Sequence, residues 1–150
     1  SGLTYKWYKL VNGAWTILSG QTSKNLTVTD TMVDTTGTFK VEVYQSSALI
    51  GLDTQIVMDL SDPYDIITNP VPESQTISSP GDTVVYTPIL VKRGETTKAK
   101  DMPFFFVFMD SAGVILNPAT ANVAAKSATC TYEMCQQAGG NVTLVITTKD

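Results

Sequence analysis

Hydrophobic and polar residues alternate along much of the chain, in short runs separated by glycine, proline, asparagine and aspartate. This period-two pattern is typical of half-buried β-strands. In the first run, residues 3–10, aromatic side chains fall on both faces of the predicted strand. Asn12 and Gly13 follow, a pair that favours a two-residue hairpin turn. We therefore predict an antiparallel hairpin whose second strand spans residues 15–18.

The same pattern predicts further strands in both halves of the chain. Pro88 lies inside residues 83–91, which predicts an edge strand or a bulge because proline cannot donate a backbone hydrogen bond. Residues 104–108 are apolar at every position, so residues 102–109 are predicted to form a central strand. The best helical segment, residues 119–127, is equally compatible with a loop. The other predicted strands are residues 25–29, 39–44, 49–60 with a break at Gly51, 114–116, 128–134 and 142–148.

Composition favours an all-β fold divided into two modules. The 150 residues include 22 threonines, a β-branched residue that is common in strands. A proline-rich stretch begins at Pro63 and interrupts the strand pattern, which is typical of a domain boundary. We therefore expect one module in residues 1–62 and a second in residues 63–150.

The two halves also correspond weakly to each other. Trp7 matches Phe106, and Phe39 matches Val142, which gives offsets of 99 and 103 residues. A repeat of about 100 residues is the size of one β-sandwich module. The correspondence predicts two modules in tandem.

Three short motifs carry a resemblance to a known family; they are Tyr5-Lys-Trp-Tyr8, Leu26-Thr-Val28 and Asp34-x-x-Gly37-x-Phe39-x-Val41. Together they resemble the second half of a bacterial or phage immunoglobulin-like domain. The resemblance implies a β-sandwich with Trp7 as the core tryptophan of strand C and Phe39 at the tyrosine-corner position of strand F. Val41 stands where antibody-type domains have a cysteine, so apolar packing rather than a disulfide would close the core.

The resemblance implies immunoglobulin-like modules in tandem, with strands C to G in residues 1–62 and strands A to F in residues 63–150. The missing strands would belong to a longer parent protein, of which this chain would be an excised fragment with incomplete terminal modules. Two alternatives stay open, a permuted sandwich and strand donation by a neighbouring subunit. The junction at residues 58–65 also resembles junctions in minor structural or tail-tip proteins of phages and prophages.

Charge and residue types argue against several classes of function. The net charge is -4 at pH 7, which disfavours nucleic acid as a partner. The chain has no histidine, the usual base of serine and cysteine hydrolases and a common zinc ligand. It also has no run of about 20 apolar residues that could cross a bilayer. We expect no catalytic residue, no cofactor and no membrane insertion.

Carboxylates and thiols leave alternatives open. Aspartates at turns and at the junction are typical of turn structure, but a carboxylate pair could hydrolyse glycosides and a junction cluster could bind calcium. Cys130 and Cys135 are the only cysteines; they are either free thiols or, if the chain turns after Met134, a small-loop disulfide. We assign no metal site. The aspartates concerned are Asp30, Asp34, Asp59, Asp62 and Asp65.

Aromatic residues on neighbouring predicted strands are the candidate binding residues. Tyr8, Trp15 and Tyr44, with Tyr5 in the same group, would form a stacking platform for sugars or a protein contact if they share a solvent-exposed face.

The resemblance implies a non-catalytic structural or adhesive module of a phage tail or other virion protein that spaces or presents a host-recognition surface. Its partners would be other virion proteins, neighbouring modules of the parent chain or a host-surface glycan, and its location the virion or an extracellular surface. The alternatives are a bacterial cell-surface adhesin and a carbohydrate-binding module appended to an enzyme.

Overall fold

The computed structural model describes residues 2–148. Residue 1 of the first predicted module and residues 149 and 150 of the second lie outside the described residues. The all-β prediction is confirmed, since strands account for 47% of the residues and helix for 7%. The described residues form two compact units, one ending at Asp62 and the other beginning at Pro63. The elements are β1 (Leu3–Val11), β2 (Ala14–Ile17), a 3-10 turn (Asp30–Met32), β3 (Thr36–Gln45), β4 (Ala48–Met58), β5 (Tyr64–Ile67), β6 (Pro70–Val71), β7 (Thr83–Tyr86), β8 (Ile89–Lys92), β9 (Lys98–Lys100), β10 (Phe104–Met109), β11 (Ala128–Thr131), α1 (Tyr132–Ala138) and β12 (Thr143–Thr148).

The first unit is built on a four-stranded antiparallel sheet in the order β2-β1-β3-β4. The predicted hairpin is confirmed, because β1 and β2 pair with Val11 opposite Ala14. Asn12 and Gly13 between them have φ angles of 48° and 77°. Such left-handed angles at both central residues are those of a type I′ turn, whose twist matches that of the flanking strands.

Two strand predictions for the first unit need correction. Residues 25–29 are not a strand, although Leu26 and Val28 are half-buried and the residues between and beside them are exposed. The alternation therefore reflects which side chains turn inward, without a hydrogen-bonded partner strand. The predicted break at Gly51 is instead a bulge within the continuous strand β4, where the pairing shifts between Val43 and Tyr44 on β3.

The core of the first unit is small. Among the described residues of this unit, its buried hydrophobic side chains are Leu10, Val33 and Phe39. The Phe39 ring lies close to the backbone of Gly37, so a Cβ at Gly37 would come within 2.9 Å of its Cε2 atom and 3.2 Å of Val33 Cγ2. Trp7, predicted to be a core residue, is only half-buried, and its indole N–H donates to the Ser23 carbonyl oxygen at 2.8 Å.

The second unit has its core on β10, where all six residues are buried. The burial of all six residues confirms that both faces of β10 are covered. The predicted central position is wrong, because β10 belongs to a two-stranded sheet with β12. One edge of β10 pairs with β12, and the other edge forms single bridges from Phe104 to Ala125 and from Met109 to Ile115. The predicted strand at residues 114–116 is therefore reduced to one bridge.

Pro88 has a stronger effect than predicted. Residues 83–91 do not form one edge or bulged strand but two strands in different sheets, with β7 central in the order β11-β7-β6 and β8 central in β5-β8-β9. Thr87 and Pro88 form the corner between them. A proline cannot donate to a sheet, so the chain changes sheets where the backbone donor is missing.

The predicted strand at residues 128–134 ends early, at Thr131, where α1 begins. The Thr131 hydroxyl accepts a hydrogen bond from the Met134 backbone N–H at 3.3 Å, which caps the helix. The helix ends at Gly139, whose φ of 75° is left-handed. Residues 119–127, the segment that looked most helical, contain turns and the bridge at Ala125 rather than a helix.

Candidate binding face

The structure brings Tyr8, Trp15 and Tyr44 onto one face of the first sheet. Tyr8 on β1 lies directly opposite Lys40 on β3, and Leu10, two residues further along β1, lies opposite Trp15 on β2. Directly opposite residues of an antiparallel pair project to the same side, as do alternate residues of one strand. We call this side the aromatic face; it comprises Lys6, Tyr8, Trp15, Lys40, Glu42 and Tyr44.

Two lysines lie over the rings of the aromatic face. The Lys40 ammonium is 4.6 Å from the centroid of the Tyr8 ring and 5.1 Å from that of Trp15. The Lys6 ammonium is 4.8 Å from the centroid of the Tyr44 ring. Cation–π contacts of this kind contribute about 0.5–1 kcal/mol at exposed sites. The rings are therefore part of a charged network rather than a bare apolar platform.

Glu42 links the phenols of the aromatic face. A hydrogen bond between Tyr8 and the Glu42 carboxylate, together with partial burial, raises the pKa of Tyr8 to about 12. Desolvation and then the negative charge of Glu42 raise the pKa of Tyr44. Both phenols are consequently neutral hydrogen-bonding groups at physiological pH.

No family model, curated protein or solved structure matches the chain. Among the described residues, no helix has the length and apolar character needed to cross a membrane.

The other aromatics of β1 lie on the opposite face of the sheet. Tyr5 pairs with Val43 and Trp7 with Val41, and all four residues are half-buried. Tyr5 is thus separated from the aromatic face, although it belonged to the same group of candidates. Trp7 and Trp15, on opposite faces of one sheet, form a matched pair for experiments.

Sequence reasoning missed the charged members of the aromatic face. The sequence contained the signal, because Lys6 is two residues from Tyr8, and Lys40 and Glu42 are four and two residues from Tyr44. Residues at such even spacings lie on the same face of a strand. What the sequence alone does not give is the register that sets Tyr8 opposite Lys40. A shift of one residue would have moved these charges to the other face.

Four of the five aspartates considered for catalysis or calcium binding accept hydrogen bonds within their own unit. Asp30 accepts from the Thr31 N–H at 2.8 Å, and the Asp59 carboxylate accepts from both the N–H and the hydroxyl of Ser61. In addition, Asp62 accepts from the Thr35 hydroxyl at 2.6 Å and Asp65 from Arg93 Nε at 3.3 Å. Within residues 2–148, no three histidine, cysteine or acidic side chains are arranged to hold a metal ion.

The two cysteines are free thiols. Cys130 is buried on β11, whereas Cys135 is half-buried on α1. Burial, and next the neighbouring Cys135, raise the pKa of Cys130 to about 11. A thiol with such a pKa is almost entirely protonated and therefore a poor nucleophile.

An apolar pocket of about 420 Å³ lies within the second unit. Phe106, Phe108 and Met134 contribute to its lining, together with Asn117. The amide group of Asn117 donates to the Phe106 carbonyl and to the Thr120 hydroxyl. Because both amide N–H bonds are used inside the protein, the buried polar residue of this pocket serves the fold rather than a ligand.

Proposed function

We propose that the chain is a non-catalytic structural and adhesive module of a phage tail or other virion protein, which spaces or presents a host-recognition surface. The observation that carries the proposal is the aromatic face, on which Tyr8, Trp15 and Tyr44 come together. Partly exposed rings on a rigid sheet are suited to stacking on sugars or to burial against a protein partner. Weak contacts of this kind gain strength when many copies act together.

The strand order gives independent support to the immunoglobulin-like interpretation. The order β2-β1-β3-β4 is the order of strands C′, C, F and G in one sheet of such a domain. In the second unit, the neighbours β6-β7-β11 fit strands A, B and E, and the pair β10-β12 fits strands C and F. The sheet β5-β8-β9 is additional to this scheme. Immunoglobulin-like modules in tandem would share these strand orders.

Labelling experiments test the location. Antibodies against this chain should label tails of purified phage particles in electron micrographs. Labelling of the bacterial envelope alone would overturn the virion proposal and favour a cell-surface adhesin. A parent protein that carries a catalytic domain next to this chain would favour the carbohydrate-binding module instead.

Trp15 fluorescence tests the binding surface. Host-surface glycans should change the tryptophan emission of the wild-type chain and of Trp7→Phe, in which Trp15 is the remaining tryptophan. Trp15→Phe, which keeps Trp7 on the opposite face, should give no change. Equal responses of the two variants would contradict the assignment of the aromatic face.

A further inference from the structure

We propose that the ligand of the aromatic face is an acidic glycan whose sugar rings carry carboxylate groups. The inference rests on the proposed function, and it adds the chemical class of the ligand. It depends on the position of the two lysines relative to the rings, and on the single carboxylate beside them.

The ammonium groups of Lys6 and Lys40 lie over aromatic rings of this face. Lys40 is within 5.1 Å of the centroids of both Tyr8 and Trp15, and Lys6 is 4.8 Å from that of Tyr44. Among the described residues, neither lysine forms an ion pair with a carboxylate. Both charges are therefore available to an anionic ligand, and a long lysine side chain can move from the ring to its rim without a change in the backbone.

This geometry favours a ligand whose apolar and anionic parts belong to the same ring. A uronic acid presents C–H bonds on a face of the pyranose and a carboxylate at its edge. Stacking of that face on Trp15 or Tyr8 would place the carboxylate near the ammonium of Lys40. A polyol phosphate chain has negative charge but lacks the flat apolar ring that these aromatic side chains match.

The balance of charge on the face also favours groups that carry one negative charge each, such as carboxylates. Lys6 and Lys40 contribute two positive charges, and Glu42, directly opposite Lys6 on the neighbouring strand, contributes one negative charge. The Glu42 carboxylate also acts on the Tyr8 phenol, whose pKa it raises. Its negative charge opposes that of the ligand and limits how strongly an acidic glycan binds.

A pair of matched ligands tests the proposal. Tetragalacturonate and its methyl ester have the same rings, but only the acid is charged. Calorimetric titration of the wild-type chain should give about tenfold tighter binding of the acid, as expected for two exposed charge contacts. Added salt should reduce this difference, because it screens exposed charges.

Three variants locate the effect on the aromatic face. The double variant Lys6→Gln/Lys40→Gln should lose the preference for the acid, because only the negative charge of Glu42 then stays on the face. Lys9→Gln, on the same strand but the opposite face, should keep the wild-type preference. Glu42→Gln should bind the acid more tightly than wild type, a gain that a merely destabilised protein would not show.

The outcomes separate the two proposals. Equal binding of acid and ester by the wild-type chain would overturn the acidic-glycan inference while leaving a sugar-binding surface in place. Binding of neither ligand, together with no response of Trp15 to host-surface glycans, would overturn the binding function itself. Stronger binding of a glycerol phosphate polymer than of tetragalacturonate would also overturn the choice of carboxylate.

Discussion

Asn117 takes the place of a neighbouring strand along one edge of β10. Its side-chain oxygen accepts from the Phe108 N–H at 2.9 Å, and its amide group donates to the Phe106 carbonyl at 2.8 Å. These are the backbone groups that a paired strand would otherwise satisfy. The residue is 9% exposed, so solvent offers little compensation if the side chain is lost.

We predict that Asn117→Ala destabilises the second unit by about 2–4 kcal/mol, because two buried backbone groups lose their partners. Urea unfolding followed by circular dichroism measures the change. Asn141→Ala, at an exposed position of the same unit, should shift stability by less than about 0.5 kcal/mol. Similar losses in both variants would contradict the role assigned to Asn117.

Thr38 is the opposite case, a buried hydroxyl for which the described residues supply no hydrogen-bond partner. Thr38→Val replaces the hydroxyl with a methyl group of similar size, so it should stabilise the first unit by about 1 kcal/mol. Thermal unfolding measures the gain. Thr54→Val on the neighbouring strand β4, at a half-buried position, serves as the control and should have a smaller effect.

Asp101 gives a prediction about pH. Hydrogen bonds from Lys126 at 2.7 Å and Lys98 at 2.8 Å lower the pKa of its carboxyl group from 3.8 to about 2. A folded-state pKa below the unfolded value means that the interaction stabilises the fold above pH 3.8, and that this contribution is lost as the pH falls through about 2. Carboxyl resonances followed by NMR should show a higher pKa of Asp101 in Lys126→Gln, and no change in the control Lys92→Gln.

Among the elements, the β1–β2 hairpin is the one that sets the position of Trp15. Gly13→Ala should destabilise the first unit by about 1 kcal/mol, because an alanine at φ 77° is strained. It should also weaken glycan binding, since the turn sets the register of β2. Gly51→Ala has open space around its Cβ and should do neither; unfolding and fluorescence titrations measure both effects.

Local sequence signals predicted some elements well and others only in part. The Asn12-Gly13 turn and the fully apolar strand β10 were predictable because each depends on a few adjacent residues. The end of β11 at Thr131 was not predictable. Threonine is common in strands, but here its hydroxyl accepts a hydrogen bond from the Met134 N–H and caps a helix. Pro88 predicted an irregular strand, but the change of sheet depends on partner strands that are distant in sequence.

The same distinction applies to the aromatic face. Alternation predicted that Tyr8 and Tyr44 could share a side with Trp15. The positions of the lysines beside the rings could be recognised only once the register of β1 and β3 was known. A cross-strand pair depends on two segments together, so neither segment predicts it alone.

At the scale of the whole molecule, the two units differ in how much they bury. The described part of the first unit has Leu10, Val33 and Phe39 as its buried hydrophobic residues, whereas every residue of β10 in the second unit is buried. Hydrogen exchange followed by mass spectrometry should therefore show faster exchange in β1–β4 than in β10 and β12. Equal protection of the two units would contradict this prediction.

The close approach of the Phe39 ring to Gly37 makes these two positions interdependent during evolution. A side chain at position 37 collides with the ring, so such a substitution would be selected against while phenylalanine is present. If a smaller residue first replaced the ring, position 37 would become free to vary, and restoring the phenylalanine would then be harmful. The order in which mutations arise would thus decide which descendants of this sequence can exist.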